Sequence, residues 1–379
     1  MECKLESDMA NVNNEEFRGL GVKVDPSWSA EQMAQESELN WKTAIRPLWI
    51  EGSHGGFKAS AYKSLVRSDD GTELSVATAT YKPTHNPQII DCFKSMADAG
   101  EMVIEKLGSL DQGRRIFASV KFGDSFHVSQ LSNTGRLIFG SNEKGNESLD
   151  TVHLMGIMGS GHVPGISFTF RGRARRKVCT NGACISRSGG SFFSLRHVKD
   201  FDAEAQKRLR ETVKAIRREF LQYQEHAEKL NTSYWNDDIT RAFCCELLAP
   251  SYFKAALERE LGTGVRPSLV EASRQFSLDQ VLQASTRYLA SEAFENLNGD
   301  KVKISRPAKR VLELVNSQPG ADKSGTGWQA YNAATYYVDH VAGRGESTAV
   351  ESGEFGQGAT LKQSALDLAL AYTEAIRVN

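Results

Sequence analysis

The chain has 379 residues, 40% of them hydrophobic and 25% charged, with 46 Lys+Arg against 47 Asp+Glu. Single hydrophobic cores stop growing near about 250–300 residues, so this length predicts two domains. A net charge of −1 rules out a polyanion partner legible from overall charge, and any such surface has to be local.

Residues 1 to about 25 are polar and Asn/Glu-rich, too poor in apolar side chains to bury much, and read as a mobile arm. Ser29-Ala30-Glu31-Gln32 then has the form of a capping box opening a short helix, which Met33 and Leu39 would pack. From Trp41 the pattern turns β-rich, with strands expected at 43–50, 61–67 and 73–80. Asp70-Gly71 supplies the positive φ that a tight hairpin turn between the last two needs. A helix is expected over 87–107, on the spacing of Ile90, Phe93, Ala97 and Ile104. Strands follow at 115–122, 126–131, 136–140, 152–158 and 165–179.

The plainest helix covers 202–230. Leu209, Val213, Ile216, Phe220, Tyr223, Ala227 and Leu230 alternate steps of four and three, a narrow apolar seam that must pack on a sheet, a helix or a neighbouring subunit. Beyond Asn231 the chain reads as helices at 237–248, 251–261, 278–296, 308–316, 327–342 and 359–377, with a glycine-rich loop over 341–358. The expected class is α+β: a mobile arm (1–25), a β-rich domain ending in the long helix (26–230) and a helical C-terminal domain (231–379).

One segment departs from the neutral composition. Residues 151–199 contain no acid but carry Arg171, Arg173, Arg175, Arg176, Lys177, Arg187, Arg196 and Lys199. In a strand over 168–177 the two-residue period would set Arg171, Arg173, Arg175 and Lys177 on one face and Gly172 and Ala174 on the other. Like charges so closely stacked favour an anionic partner, and a phosphate backbone would fit. Phe168, Phe170, Phe192 and Phe193 could offer rings for base stacking, and glycines such as Gly156, Gly159 and Gly161 would allow close backbone approach. Lys207, Arg208, Arg210, Lys214, Arg217 and Arg218 extend the basic character along the long helix, with Lys207, Arg210, Lys214 and Arg217 at helical spacing, beside Glu204, Glu211 and Glu219. The competing reading makes the arginines solvated or paired and the phenylalanines core.

Catalytic signatures are few. No G-x-x-x-x-G-K-[ST] loop, G-x-S-x-G elbow or H-E-x-x-H helix occurs. Cys179 and Cys184 with His162 and His197 lack metal-site spacing, and six cysteines without a C-x-x-C pair read as reduced, mostly buried thiols. Asp237 and Asp238 with Glu246 could form a nuclease carboxylate cluster, though acids at a helix start more often complement its dipole. Asn332, Tyr336 and His340, with Asp339, lie at helical spacing as either a site or a docking face. The opening residues lack the apolar core of a signal peptide and no run approaches about 18 apolar residues, so a cytoplasmic chain without membrane contact is expected.

Several stretches resemble a known family: Arg67-Ser68-Asp69 through Tyr81-Lys82-Pro83-Thr84-His85-Asn86, Val178-Cys179-Thr180-Asn181, Phe355-Gly356-Gln357-Gly358-Ala359-Thr360-Leu361-Lys362 and, most specifically, W-x-x-Y-N-A-x-T-x-Y-x-D-H from Trp328 to His340. The chain resembles the phage/plasmid-like proteins, domain of unknown function 932, over residues from about 40 to 370. The resemblance implies a mobile-element setting in the host cytoplasm and no particular reaction. A β-rich unit followed by a long helix is also similar to phage single-strand annealing proteins, a likeness of fold alone.

The resulting expectation is a cofactor-free, metal-free, non-enzymatic binder of single-stranded DNA, or RNA, acting in recombination as a homo-oligomer that anneals strands without ATP. Its contacts would come from Phe168, Phe170, Arg171, Arg173, Arg175, Arg176, Lys177, Arg187, Arg196, Lys199, Lys207, Arg210 and Lys214. The alternatives are a metal-dependent nuclease and a protein-interaction factor directed at a host system.

Overall fold

The computed structural model describes residues 21–53, 55–128, 130–131, 137–138, 150–161, 168–176, 182–185, 192–197, 199–290, 294–295, 301–302, 306–319, 325–342 and 357–378. Lys177, Arg187, Cys179, His162 and nearly all of the expected arm and glycine-rich loop lie outside them.

The α+β class expected from the sequence is what folds. Its first strand, β1 (Val22–Lys23), is followed by α1 (Ala30–Glu36), which opens on the capping box: Gln32 N–H donates to Ser29 Oγ at 3.1 Å and Ser29 N–H to Gln32 Oε1 at 2.9 Å. Strands β2 (Thr43–Glu51), β3 (Phe57–Arg67) and β4 (Glu73–Thr78) form a separate antiparallel sheet, and Gly71 turns the β3–β4 hairpin at φ 75°.

Helix α2 (Asn86–Asp98) ends earlier than its spacing suggested, because Gly100, at φ 74°, stops it. The remainder of the expected helix is instead strand β5 (Val103–Leu110), where Ile104 and Leu107 are buried. The two strands expected at 115–122 and 126–131 are largely one, β6 (Arg115–Val128), irregular between Lys121 and Ser125. After it come β7 (Gln130–Leu131), β8 (Leu137–Ile138), β9 (Asp150–Gly161), β10 (Phe168–Arg176), β11 (Gly182–Cys184) and β12 (Phe192–Leu195). The main sheet is antiparallel in the order β1-β5-β6-β9-β10-β11, and β12 also pairs with β10.

Helix α3 (Ala203–Asn231) starts where Asp202 accepts the Ala205 N–H at 2.9 Å. Every residue of its expected seam is buried, and its partners are the sheet and two helices of the C-terminal half. Phe220 meets Phe126 at 5.2 Å between ring centres, and Phe170 meets Phe93 of α2 at 5.5 Å on the same side. At Gly172 a Cβ would overlap Ile216, whose Cγ1 alone would stand 3.1 Å away, so only glycine lets α3 settle on β10.

The helices that follow are α4 (Asp237–Leu248), α5 (Pro250–Leu261), α6 (Leu269–Ala272) and α7 (Leu278–Ala290). A small ladder, β13 (Phe294–Glu295) with β14 (Lys301–Val302), precedes α8 (Arg306–Val315), α9 (Gly327–His340) and α10 (Gln357–Val378). Aromatic packing ties this half to α3 through Tyr223, Trp328 and Tyr331, and the buried apolar side chains of both halves form one continuous cluster. Among the described residues no helix is long and apolar enough to cross a membrane.

Gly172→Ala should lower stability by about 1–3 kcal/mol, the cost of overpacking a filled site, whereas Gly123→Ala, with open space around its Cβ position, should change it little. Chemical denaturation of both variants measures the difference.

Candidate nucleic-acid interface

The basic strand is where the sequence reading meets its largest correction. Phe168, Phe170, Gly172, Ala174 and Arg176 form the inward row of β10, and both phenylalanines are 0% exposed. Phe168 packs edge-on against Phe193 and Phe201. These rings are core and cannot take a base without unfolding the sheet. Gly156 likewise makes room for the Phe170 ring and Val120, not for a ligand.

The opposite row, expected as a basic ladder, is only partly open. Arg173 is 5% exposed, and Ser119, Met155 and Ile157 on the neighbouring strands are buried. Arg175 is half-buried with its guanidinium 3.7 Å from Glu105, and Arg171 lies 4.8 Å over the Phe192 ring. Arg176, buried on the inward side, sits 5.8 Å over Trp328. These arginines are met by acids and rings far away in sequence.

A buried ionic cluster lies at the end of α9. Lys362 Nζ donates to Asp339 at 2.8 Å, with the lysine side chain fully enclosed. Burial opposes ionisation of Asp339, but the charges of Lys362, Arg173 and His340 outweigh it and hold the carboxyl below its ordinary value. The specific W-x-x-Y-N-A motif is thereby largely structural. Asn332 donates to the Trp328 carbonyl at 2.8 Å, Gln329 to the Val315 carbonyl at 2.7 Å, and Tyr336 stacks on His340 at 4.4 Å. Its polar groups secure helix backbones inside the protein and do not line an open site.

The carboxylates considered for a nuclease are not brought together. Asp238 pairs with Arg241 at 3.2 Å and Asp237 is exposed in the first turn of α4, which Asn236 caps through the Ile239 N–H. Glu246 points inward, where one oxygen accepts from Tyr372 Oη at 2.7 Å and Leu269 N–H at 3.2 Å. Burial raises its pKa, against the pull of those two hydrogen bonds. Among the described residues no group of three His, Cys, Asp or Glu side chains could hold a metal ion. Cys92, Cys244 and Cys245 are free and buried, and burial pushes the Cys92 thiol up to about 11. His197 is buried against the Tyr81 ring, with its Nε2 2.7 Å from the Gly161 carbonyl oxygen.

Of the expected contacts, those outside the strand fare differently. Arg196 and Lys199, before α3, are exposed, as are Lys207, Arg208, Lys214 and Arg218 on its outer face. Arg210 instead turns inward to Ser95 at 3.2 Å, and Arg217 to Asp124 at 3.1 Å. Among the described residues Lys199, Lys207, Lys214 and Arg218 make no ion pair, although Glu204 and Glu211 share the helix's outer surface. The sequence reading found Lys207 and Lys214 from helical spacing but set Arg210 beside them; its turn toward α2 depends on a contact 115 residues away. Arg208 and Arg218 count among the helix cations in sequence but fall outside the spacing of Lys207, Arg210 and Lys214; in the fold Arg218 lies one turn beyond Lys214 and Arg208 reaches 5.5 Å over the Phe193 ring.

A family model described as Domain of unknown function (DUF932) matches residues 165–366, from just before β10 into α10. No curated protein and no solved structure matches the chain.

Lys362→Met leaves a buried carboxylate without its hydrogen-bonded partner and should cost about 3–5 kcal/mol, against less than about 0.5 kcal/mol for the exposed Lys207→Met. Glu246 gives a pH-dependent counterpart. Its folded pKa lies above the unfolded value of 4.5, so the folded state holds more protons than the unfolded one in that window. The Glu246 contribution is therefore full below 4.5 and is lost as pH rises through the folded pKa. Denaturation across pH should show wild type losing stability relative to Glu246→Gln from about pH 4.5 until the raised pKa is passed, and parallel curves above it.

Proposed function

The chain belongs to the DUF932 family, whose description fixes no activity, and we propose that it binds single-stranded nucleic acid without catalysing a reaction on it. The observation that carries this reading is the row of exposed cations on the outer face of α3, Lys207, Lys214 and Arg218, with Arg208 beside them and Arg196 and Lys199 at its approach. Their spacing of seven and four residues sets them along one side of a rigid helix about 1.5 Å per residue in rise, a span of about 16 Å from first to last. A flexible single strand can follow such a row, exchanging condensed counterions for fixed positive charges.

The same geometry suits annealing better than cutting. Phosphates held by side chains on a helix leave bases free to pair, and no group has to move a proton or activate water. A homo-oligomer acting in phage or plasmid recombination remains part of the proposal, because a strand long enough to anneal has to cross several such rows. DNA and RNA share the phosphate chemistry on which this reading rests.

Replacing Lys207, Lys214 and Arg218 together by alanine should weaken oligodeoxythymidylate binding and reduce the slope of log affinity against log salt by about 2, near 0.7 for each lost phosphate contact on a single strand. Fluorescence anisotropy across a salt series reads both. Unchanged affinity and slope in the triple variant, or no binding by wild type at low salt, would refute the proposal.

A further inference from the structure

Strands β2 and β3 extend past the body of the protein as a two-stranded arm. At its base Leu65 and Val66 are buried, but beyond them solvent reaches both faces. In the outer part Phe57 is 74% exposed, Trp49 58% and Tyr62 54%. Register places Trp49 opposite Ala59 and Glu51 opposite Phe57, so the Trp49 and Phe57 rings are diagonal neighbours on one face, which they share with Ala59 and the exposed Glu51. Ile50 lies opposite Lys58 on the other face. Leaving several large aromatic side chains in water on a slender hairpin gives up burial energy, and such a patch marks a surface that something else covers.

Charge and backbone together indicate what covers it. From Lys42 to Lys63 the arm carries Lys42, Arg46, Lys58 and Lys63 against the one carboxylate of Glu51. The partner is therefore anionic as well as able to lie against flat rings. Strand addition by a second copy or an extended peptide is opposed on the β2 edge, because Pro47 offers no N–H and the ladder shifts register between Pro47 and Trp49. On the β3 side β4 pairs only with Tyr62–Val66, so it is the side chains of the arm, its cations and exposed rings, that single out the occupant. Cations interleaved with exposed rings fit a polynucleotide strand, whose phosphates meet the cations while its bases stack on the aromatic faces.

We infer that the β2–β3 arm is a second contact site for single-stranded nucleic acid, with Trp49 and Phe57 as base-stacking platforms and Arg46 and Lys58 as phosphate contacts. This inference rests on the proposed function and supplies the stacking element that the buried Phe168 and Phe170 do not. It also separates two kinds of contact: the α3 row acts through charge and is salt-steep, whereas ring stacking is nearly indifferent to salt.

Trp49 is itself the probe. Trp41, Trp235 and Trp328 are buried and Trp28 is partly buried, so a ligand reaching the arm acts first on Trp49 emission. The full chain is titrated with oligodeoxythymidylate, following tryptophan emission and, separately, anisotropy of the labelled strand. The expected result is quenching that disappears in Trp49→Leu, and a loss of affinity of about tenfold in Trp49→Leu/Phe57→Ser, with the salt slope unchanged. Both side chains are exposed, so the variants should fold, and circular dichroism verifies it. Binding by anisotropy with no quenching, and full affinity in the double variant, would overturn the arm while leaving the α3 proposal intact. No binding at all would overturn both. A wild-type dimer that the double variant abolishes at unchanged DNA affinity would overturn the inference and give the arm to a second copy.

Discussion

At Gly172 the long helix α3 approaches strand β10 so closely that no side chain fits between them. That contact fixes where the rest of the molecule can lie. With α3 seated there, Leu209, Val213, Ile216 and Phe220 fill the inward side of the sheet together with Phe93, Phe126, Phe168 and Phe170. Tyr223, further along the same helix, carries the packing on to Trp328 and Tyr331, and so into the helical half. The outer face of α3 is left in water as a consequence, and the side that faces outward is the side that carries Lys207, Lys214 and Arg218. Packing and proposed binding are thus two faces of one helix, set by a missing Cβ on a strand.

The arginines of β10 show why charge density alone misleads. Their spacing along the chain suggests repulsion that only an external anion could relieve. In the fold each meets a separate internal partner: Glu105 for Arg175, the field of Asp339 for Arg173, and the rings of Phe192 and Trp328 for Arg171 and Arg176. Of these contacts, those of Arg173 and Arg176 join the sheet to α9, and breaking a buried charge contact of this kind is costly. Within the family match the most specific motif serves the same end, since Asn332, Gln329 and Asp339 all bond inside the helical layer.

Local rules carried much of the fold. The capping box at Ser29, the Asp70-Gly71 hairpin and the seam of α3 each depend on residues within one or two turns, and each forms as its spacing implies. The strand at Val103–Leu110 was misread because Ile104 continues the helical spacing of Ile90, Phe93 and Ala97, while the stop at Gly100 is a single residue. The two-residue period of β10 sorted its side chains into the right rows. It could not reveal that the inward row is fully covered and the other partly so, because the covering groups come from β5, α3 and α9. The arm escaped notice for the opposite reason: Trp49, Phe57 and Tyr62 look like core in sequence, and only the fold shows that nothing packs on them.

In the proposed function nucleic acid lies on the exposed cations and not on the basic strand. The most direct test is lysine footprinting of the full chain with an amine-reactive acyl reagent, with and without oligodeoxythymidylate. Reduced modification at Lys199, Lys207, Lys214 and Lys58, with exposed Lys309 of α8 unaffected, is the predicted result. Equal reactivity at all of these positions under conditions where the strand is bound, or protection confined to the helical half, would contradict it.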